Sequence, residues 1–105
     1  LVTRVDGLNP GDLRELAIAV RQHPGMRLVV LIGETTSGGV GLVAAVEAGS
    51  GWNASVLIKD AAKAVGGGGG GKGDIATAGG KDVSGIPTAL ELAAQAAAGL
   101  VADST

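Results

Sequence analysis

The 105 residues suffice for one domain and leave no room for two independent cores. Apolar residues make up 46% and charged residues 17%, a globular balance, and a net charge of −2 supplies no overall field to draw in nucleic acid. With no cysteine, one histidine (His23) and Trp52 as the only aromatic residue, the composition excludes a disulfide scaffold and a structural zinc site. It also excludes the single-strand readers that stack bases on several exposed rings.

The first segment, Leu1 to Val5, alternates weakly and predicts a short strand. Asp6-Gly7-Leu8-Asn9-Pro10 is turn chemistry, with Asn9 placed to cap a helix and Pro10 suited to its first position. Leu13, Leu16, Ala17 and Val20 then share one apolar stripe at helical spacing. His23-Pro24-Gly25 stops that helix, with His23 expected to serve its C-terminal turn rather than catalysis. Arg27 to Ile32 is an apolar run without a polar face, the mark of an internal strand. Val40 to Val46 is a second such run, expected to pair antiparallel with the first, and Gly49-Ser50-Gly51 breaks it.

Asn53 or Ser55 opens a helix through Val65, with Leu57, Ala61, Ala64 and Val65 on its apolar face and Lys59 and Lys63 opposite. After the glycines that follow, Ile75 to Ala78 predicts a brief strand closed by Gly79-Gly80. Ser84 starts a last helix, with Pro87 tolerated in its first turn and Ile86, Leu90, Ala93, Ala97 and Val101 along its apolar face. The order β-α-β-β-α-β-α implies an α/β (α+β) fold: a small mixed sheet of about four strands with three helices, residues 1–105 forming a single domain. No apolar run approaches the roughly 20 residues of a membrane span. The sequence starts at Leu1 with neither an initiator Met nor a basic-then-apolar signal pattern, and reads as a soluble domain cut from a longer protein.

Gly66 to Gly71 are six consecutive glycines, followed by Lys72-Gly73-Asp74. Each glycine costs about 0.5–1 kcal/mol more than alanine to order. A flexible linker is the ordinary meaning of such a run. Inside one small domain, between a helix and a strand, an ordered loop over residues 66–73 is the better reading, with bare N–H groups able to meet phosphate oxygens. Gly66 through Lys72 fits part of a P-loop, but Gly73 stands where a Ser or Thr would ligate magnesium. A dinucleotide glycine spacing is met by any such run. Both motifs need a strand before and a helix after, the reverse of the order here, so nucleotide hydrolysis and dinucleotide binding are rejected.

Across Gly66 to Gly80, GGGGGGKGDIATAGG, the chain resembles the C-terminal domain of alanyl-tRNA synthetases, members of the DHH-associated family. That pattern runs from a glycine-rich loop through a basic residue, commonly a proline, and Asp-Met-Ala-Gln to a closing Ala/Gly-Gly. Lys72, Asp74, Ala76, Gly79 and Gly80 match, whereas Gly73 replaces the proline and Thr77 the glutamine. The resemblance implies a domain that grips the outer corner of the tRNA and assists aminoacylation and editing carried out by other domains. Implied partners are alanine-specific tRNA, the remaining domains of the parent synthetase and a second copy of the chain, in the cytoplasm and without a membrane. No catalytic residue and no cofactor is expected in this domain; ATP, magnesium and zinc would belong to the parent enzyme.

Between residues 59 and 81, four lysines face two aspartates, so this stretch carries +2 within a negative chain. Candidate nucleic-acid contacts are therefore Gly68, Gly69, Gly70, Gly71, Lys72 and Gly73 together with Lys59, Lys63 and Lys81. Lys59 and Lys63 equally suit a solvated helix face. Trp52 suits a packing anchor or, alternatively, a stacking platform. Arg4, Arg14, Arg21 and Arg27 form no pattern. Two other functions remain open: an oligomerisation module using the Val40–Val46 strand and the alanine-rich last helix, and the substrate-binding lobe of a DHH-type phosphoesterase. The second normally carries a histidine where Lys72 stands.

Overall fold

The computed structural model describes residues 2–23, 28–36, 38–46, 53–72 and 75–103. Five strands, β1 (Val2–Arg4), β2 (Leu28–Glu34), β3 (Val40–Val46), β4 (Gly68–Lys72) and β5 (Ile75–Gly80), form one sheet in the order β1-β2-β3-β5-β4. Only β1 and β2 run parallel; every other pairing is antiparallel. Three helices, α1 (Pro10–Arg21), α2 (Ser55–Ala64) and α3 (Ile86–Asp103), complete the mixed α/β architecture the sequence predicts. The glycine run adds a fifth strand to the roughly four expected: residues 68–72 are an edge strand, not a loop. Gly79 and Gly80 likewise belong to β5 instead of closing it.

The helices divide between the two faces of the sheet. On one face α1 lies over β2 and β3, where Leu13 and Ala17 pack on Val29, Leu31, Val43 and Ala45. On the other, α3 covers β1 and β2 while α2 covers β3, β4 and β5, closing the larger core around Val30, Ile32, Leu42, Leu57, Ile58 and Ile86. Burying each of these large side chains removes it from water at a gain of about 1.5–3 kcal/mol. β3 is central and buried along its whole length, so it is not available as the oligomer interface considered above.

Local chemistry accounts for the helix ends. Asn9 Oδ1 accepts the Asp12 N–H at 2.8 Å, and Pro10 opens α1. At the far end, Arg21 Nη1 donates to the Val46 carbonyl, fixing α1 to the end of β3. The expected stripe is shifted, however: Leu13 and Ala17 are buried, but Leu16 is 36% exposed. With only β2 and β3 beneath it, α1 covers a narrow strip, and Leu16 falls off its flank. α2 has the opposite mismatch. Squeezed between sheet and α3, it also buries Ile58 and Ala62. Asn53 Oδ1 accepts both the N–H and the hydroxyl of Ser55 at its start. The last helix begins at Ile86, after a 3₁₀ turn at Val83–Gly85 capped by Asp82, whose carboxylate takes the Ser84 N–H. Ala89 joins Ile86, Ala93 and Ala97 in the buried face of α3, with Leu90 half-buried; the Val101 side chain lies outside the described residues.

Candidate nucleic-acid interface

Three consecutive glycines at the start of the run stand in three different settings. Gly66 adopts φ +69, and its N–H bonds to the Lys63 carbonyl while the Gly67 N–H reaches Ala62. This left-handed closure of α2 needs a residue without a Cβ. At Gly67 a Cβ would lie 1.7 Å from the Gly79 carbonyl oxygen, so the backbones touch there. At Gly68 a Cβ would meet nothing within 4 Å, and φ is not positive. Neither space nor conformation asks for glycine at that position.

The same contrast separates the two faces of the β4–β5 hairpin. Towards α2, Gly80 is pressed against Val65, with a built Cβ 2.4 Å from Val65 Cγ2. The carbonyl of Val65 also accepts the N–H groups of Lys81 and Asp82, locking the end of β5 to the end of α2. Towards α1, the register places Gly41, Gly79 and Gly68 side by side across three adjacent strands. Gly41 is crowded, its built Cβ 2.9 Å from Thr35 Cγ2 and 3.1 Å from Leu13 Cδ2. Gly79 and Gly68 are exposed and uncrowded. Beyond the rim of α1 the sheet therefore presents a bare-backbone shelf, about 10 Å wide at ordinary strand spacing. Apart from Gly79 and Gly68, an open groove of about 230 Å³ lies between α1 and strands β3 and β5, lined among others by Leu13, Arg14, Gly41, Val43 and Thr77.

The predicted contact residues divide between the two ends of the hairpin. Gly68, Gly69, Gly70, Gly71 and Lys72 all lie on β4, whose outer edge has no neighbouring strand among the described residues. At one end the Lys81 N–H bonds to the Val65 carbonyl, two residues after Lys63, and both lysines are exposed; Lys59 is exposed one turn back on α2. None of these three lysines makes an ion pair among the described residues. Lys72 pairs with Ile75 at the other end of the strand, about 13 Å from Gly68 at the rise of an extended chain. The lysines thus do not form a single stripe. Lys59 and Lys63 stand on the α2 layer, across the sheet from the open glycine row. Gly73, Asp74 and Trp52 lie outside the described residues. His23 is exposed just beyond α1, its N–H bonded to the Val20 carbonyl.

Two parts of the shelf escape sequence reasoning. Arg14 looks like any solvent-facing helical arginine, and only the fold sets it on the rim of the groove. Gly41 did carry a signal: an isolated glycine inside an apolar strand marks a close approach of another group. Among the described residues, no three His, Asp or Glu side chains converge to hold a metal ion, and no helix is long and apolar enough to cross a membrane.

A mixed sheet with α1 on one face, α2 and α3 on the other, and a glycine-rich hairpin at the edge defines a recognisable domain class. Residues 1–99 match the DHHA1 domain, and the chain belongs to that family. The chain is similar to part of the alanine–tRNA ligase of Myxococcus xanthus, 41% identical over 93 residues that cover 87% of this chain and 10% of that protein. The alanine–tRNA ligase of Anaeromyxobacter dehalogenans is 43% identical over 99 residues, 93% of this chain and 11% of that one. Among solved structures, the C-Ala domain of Aquifex aeolicus alanyl-tRNA synthetase superposes with a TM-score of 0.77 at 29% identity, covering 90% of this chain and 86% of that domain. The chain spans about a tenth of the length of the curated relatives it matches.

Proposed function

We propose that this domain binds tRNA on behalf of an alanine–tRNA ligase, holding the outer corner of the molecule while other domains carry out aminoacylation and editing. One observation carries the reading: the glycine hairpin offers exposed backbone at Gly68 and Gly79, where packing does not require glycine, with exposed Lys81 at the end of the hairpin and exposed Lys63 on the α2 layer, neither in an ion pair among the described residues. Backbone N–H groups and lysines of this kind contact phosphates and sugars without reading sequence. The similarity to part of alanine–tRNA ligases supports an alanine tRNA as the RNA. On this reading the domain is not itself catalytic. ATP, magnesium and zinc act elsewhere in the parent enzyme, and the working compartment is that of the parent's tRNA, the cytoplasm.

The test is a titration of the 105-residue chain with an alanine tRNA transcript and with a hairpin lacking the outer corner, from low to moderate salt. Preference for the intact tRNA is expected, with log affinity falling against log salt at a slope of about −2 to −3.5 for three or four neutralised phosphates. Lys63→Ala and Lys81→Ala should each flatten that slope by about 1. Absence of RNA binding at low salt, with a stable dimer by light scattering, would replace this reading by the oligomerisation module.

A further inference from the structure

We propose that Asp6–Gly7 is a site of spontaneous isoaspartate formation, held closed while the end of β1 stays paired with β2, and that its conversion unties the β1–α1 connection from the sheet. The inference stands apart from the RNA-binding reading above.

The sequence supplies the chemistry. Asp6–Gly7 is the one Asp-Gly pair in the chain, and there is no Asn-Gly. Without a Cβ on the second residue, little shields its backbone nitrogen from the carboxyl beside it. The Gly7 nitrogen attacks Cγ of the protonated Asp6 carboxyl. An N–Cγ bond forms, and the amide proton and the carboxyl hydroxyl leave as water. A second water opens the resulting succinimide. Addition at Cγ breaks the new bond and returns aspartate. Addition at the main-chain carbonyl of Asp6 breaks its bond to the Gly7 nitrogen and leaves isoaspartate, with one more carbon in the main chain. Burial does not prevent this: both residues are exposed, and a Cβ at Gly7 would meet nothing within 4 Å.

Hydrogen bonds to the end of β2 do prevent it. The nucleophile is engaged, because the Gly7 N–H donates to the Glu34 carbonyl at 2.9 Å. The electrophile is engaged as well. Asp6 Oδ1 accepts the Glu34 N–H at 2.9 Å, and Arg4 Nε donates to both carboxylate oxygens at 3.0 Å. The Glu34 N–H first, and then Arg4, keep the carboxyl below its ordinary value. As a carboxylate it has no hydroxyl to lose. Two of these bonds end on Glu34, and β1 is a three-residue edge strand, so a local parting of β1 from β2 frees both reactants together.

The pair lies between two fixed points. Just before it, a Cβ on Gly33 would fall 1.7 Å from the Val5 carbonyl oxygen, so the backbones touch. Just after it, Leu8 bridges to Thr35 and its carbonyl accepts the Thr36 N–H at 3.3 Å. An added main-chain carbon between these points cannot keep both in register.

The experiment incubates the chain at body temperature and neutral pH, in native buffer and in guanidinium chloride, and measures isoaspartate at Asp6 by peptide mapping with electron-transfer fragmentation. The folded chain should convert about tenfold or more slowly than the unfolded one. In native buffer Arg4→Ala should convert about two- to fivefold faster than the parent, the worth of an exposed ion pair, and Arg4→Lys should fall between them. Ile58→Val, in the core on α2, should convert at the parent's rate. In the purified isomerised chain, the Thr36 amide should lose its protection from hydrogen exchange. Equal rates in native buffer and in guanidinium chloride would overturn the proposal, as would an Arg4→Ala rate no faster than the parent's. Acceleration by Ile58→Val as large as that by Arg4→Ala would overturn it too, by making global unfolding the gate. Full protection of Thr36 after isomerisation would overturn the untying of the connection.

Discussion

The two faces of the β4–β5 hairpin carry the same residue for opposite reasons. On the α2 side, Gly67 and Gly80 sit where backbone or Val65 leaves no room for a Cβ, and Gly85 is pressed against the Ala64 carbonyl in the same way. Those glycines let a helix and a hairpin approach until their backbones touch. On the α1 side, Gly68 and Gly79 look into open space. Among the described residues nothing uses their lack of a side chain, which leaves that backbone open to a partner such as the tRNA proposed above. The hairpin and its approach from α2 thus use glycine for close packing at Gly67 and Gly80 and leave it open at Gly68 and Gly79.

The largest test of this division is Gly67→Ala. Its Cβ would fall 1.7 Å from the Gly79 carbonyl oxygen and 2.5 Å from Gly80 Cα, and neither neighbour is a flexible side-chain end. Relief requires β5 to move away from α2, at an expected loss of about 3 kcal/mol or more in urea unfolding. One residue later the sign reverses. Gly68→Ala removes backbone entropy from the unfolded chain and meets no atom within 4 Å, so a gain of about 0.4–1 kcal/mol is expected in the same assay. Equal effects at the two positions would break the comparison.

The covered side of the groove can be loosened independently. Asn9→Ala removes the side chain that takes the Asp12 N–H, and the first turn of α1 forms the wall beside Gly41. A loss of about 1 kcal/mol is expected by thermal or chemical unfolding.

Much of this architecture is legible in the sequence where one force dominates. The Asn9-Pro10 start of α1 and the apolar runs of β2 and β3 follow from capping and burial, and their antiparallel pairing follows from the short connection. The strand at residues 68–72 does not, because glycine has no strand preference of its own; its conformation is imposed by β5 on one side and α2 beneath. Leu16 and Ile58 mislead for a related reason. Helical periodicity tells which residues align, but the width of the buried face depends on how many elements pack there. The candidate site is still less legible. Lys81 is tied to the end of α2, two residues after Lys63, only because its N–H bonds to the Val65 carbonyl, and Arg14 lines a groove only because strands far along the chain form its other side.

The smallest effect expected lies at the opposite edge of the sheet, and it serves as a control. The Asp6 carboxylate accepts the Glu34 N–H at 2.9 Å and the Arg4 Nε at 3.0 Å, tying the end of β1 to β2. The Glu34 N–H first, and then Arg4, hold its carboxyl below the ordinary value of 3.8. A carboxyl with a lowered folded-state pKa contributes its stability above the unfolded value and loses it as pH falls through the folded one. Acid below about pH 4 should therefore weaken the parent slightly more than Asp6→Asn, in unfolding curves compared across that range. Since Asp6 touches neither β4 nor β5, the amide positions of Gly68 and Gly79 should be the same in Asp6→Asn as in the parent. A shift at those glycines would mean that the open face is set by the whole sheet, and its bareness would no longer be a local property of the hairpin.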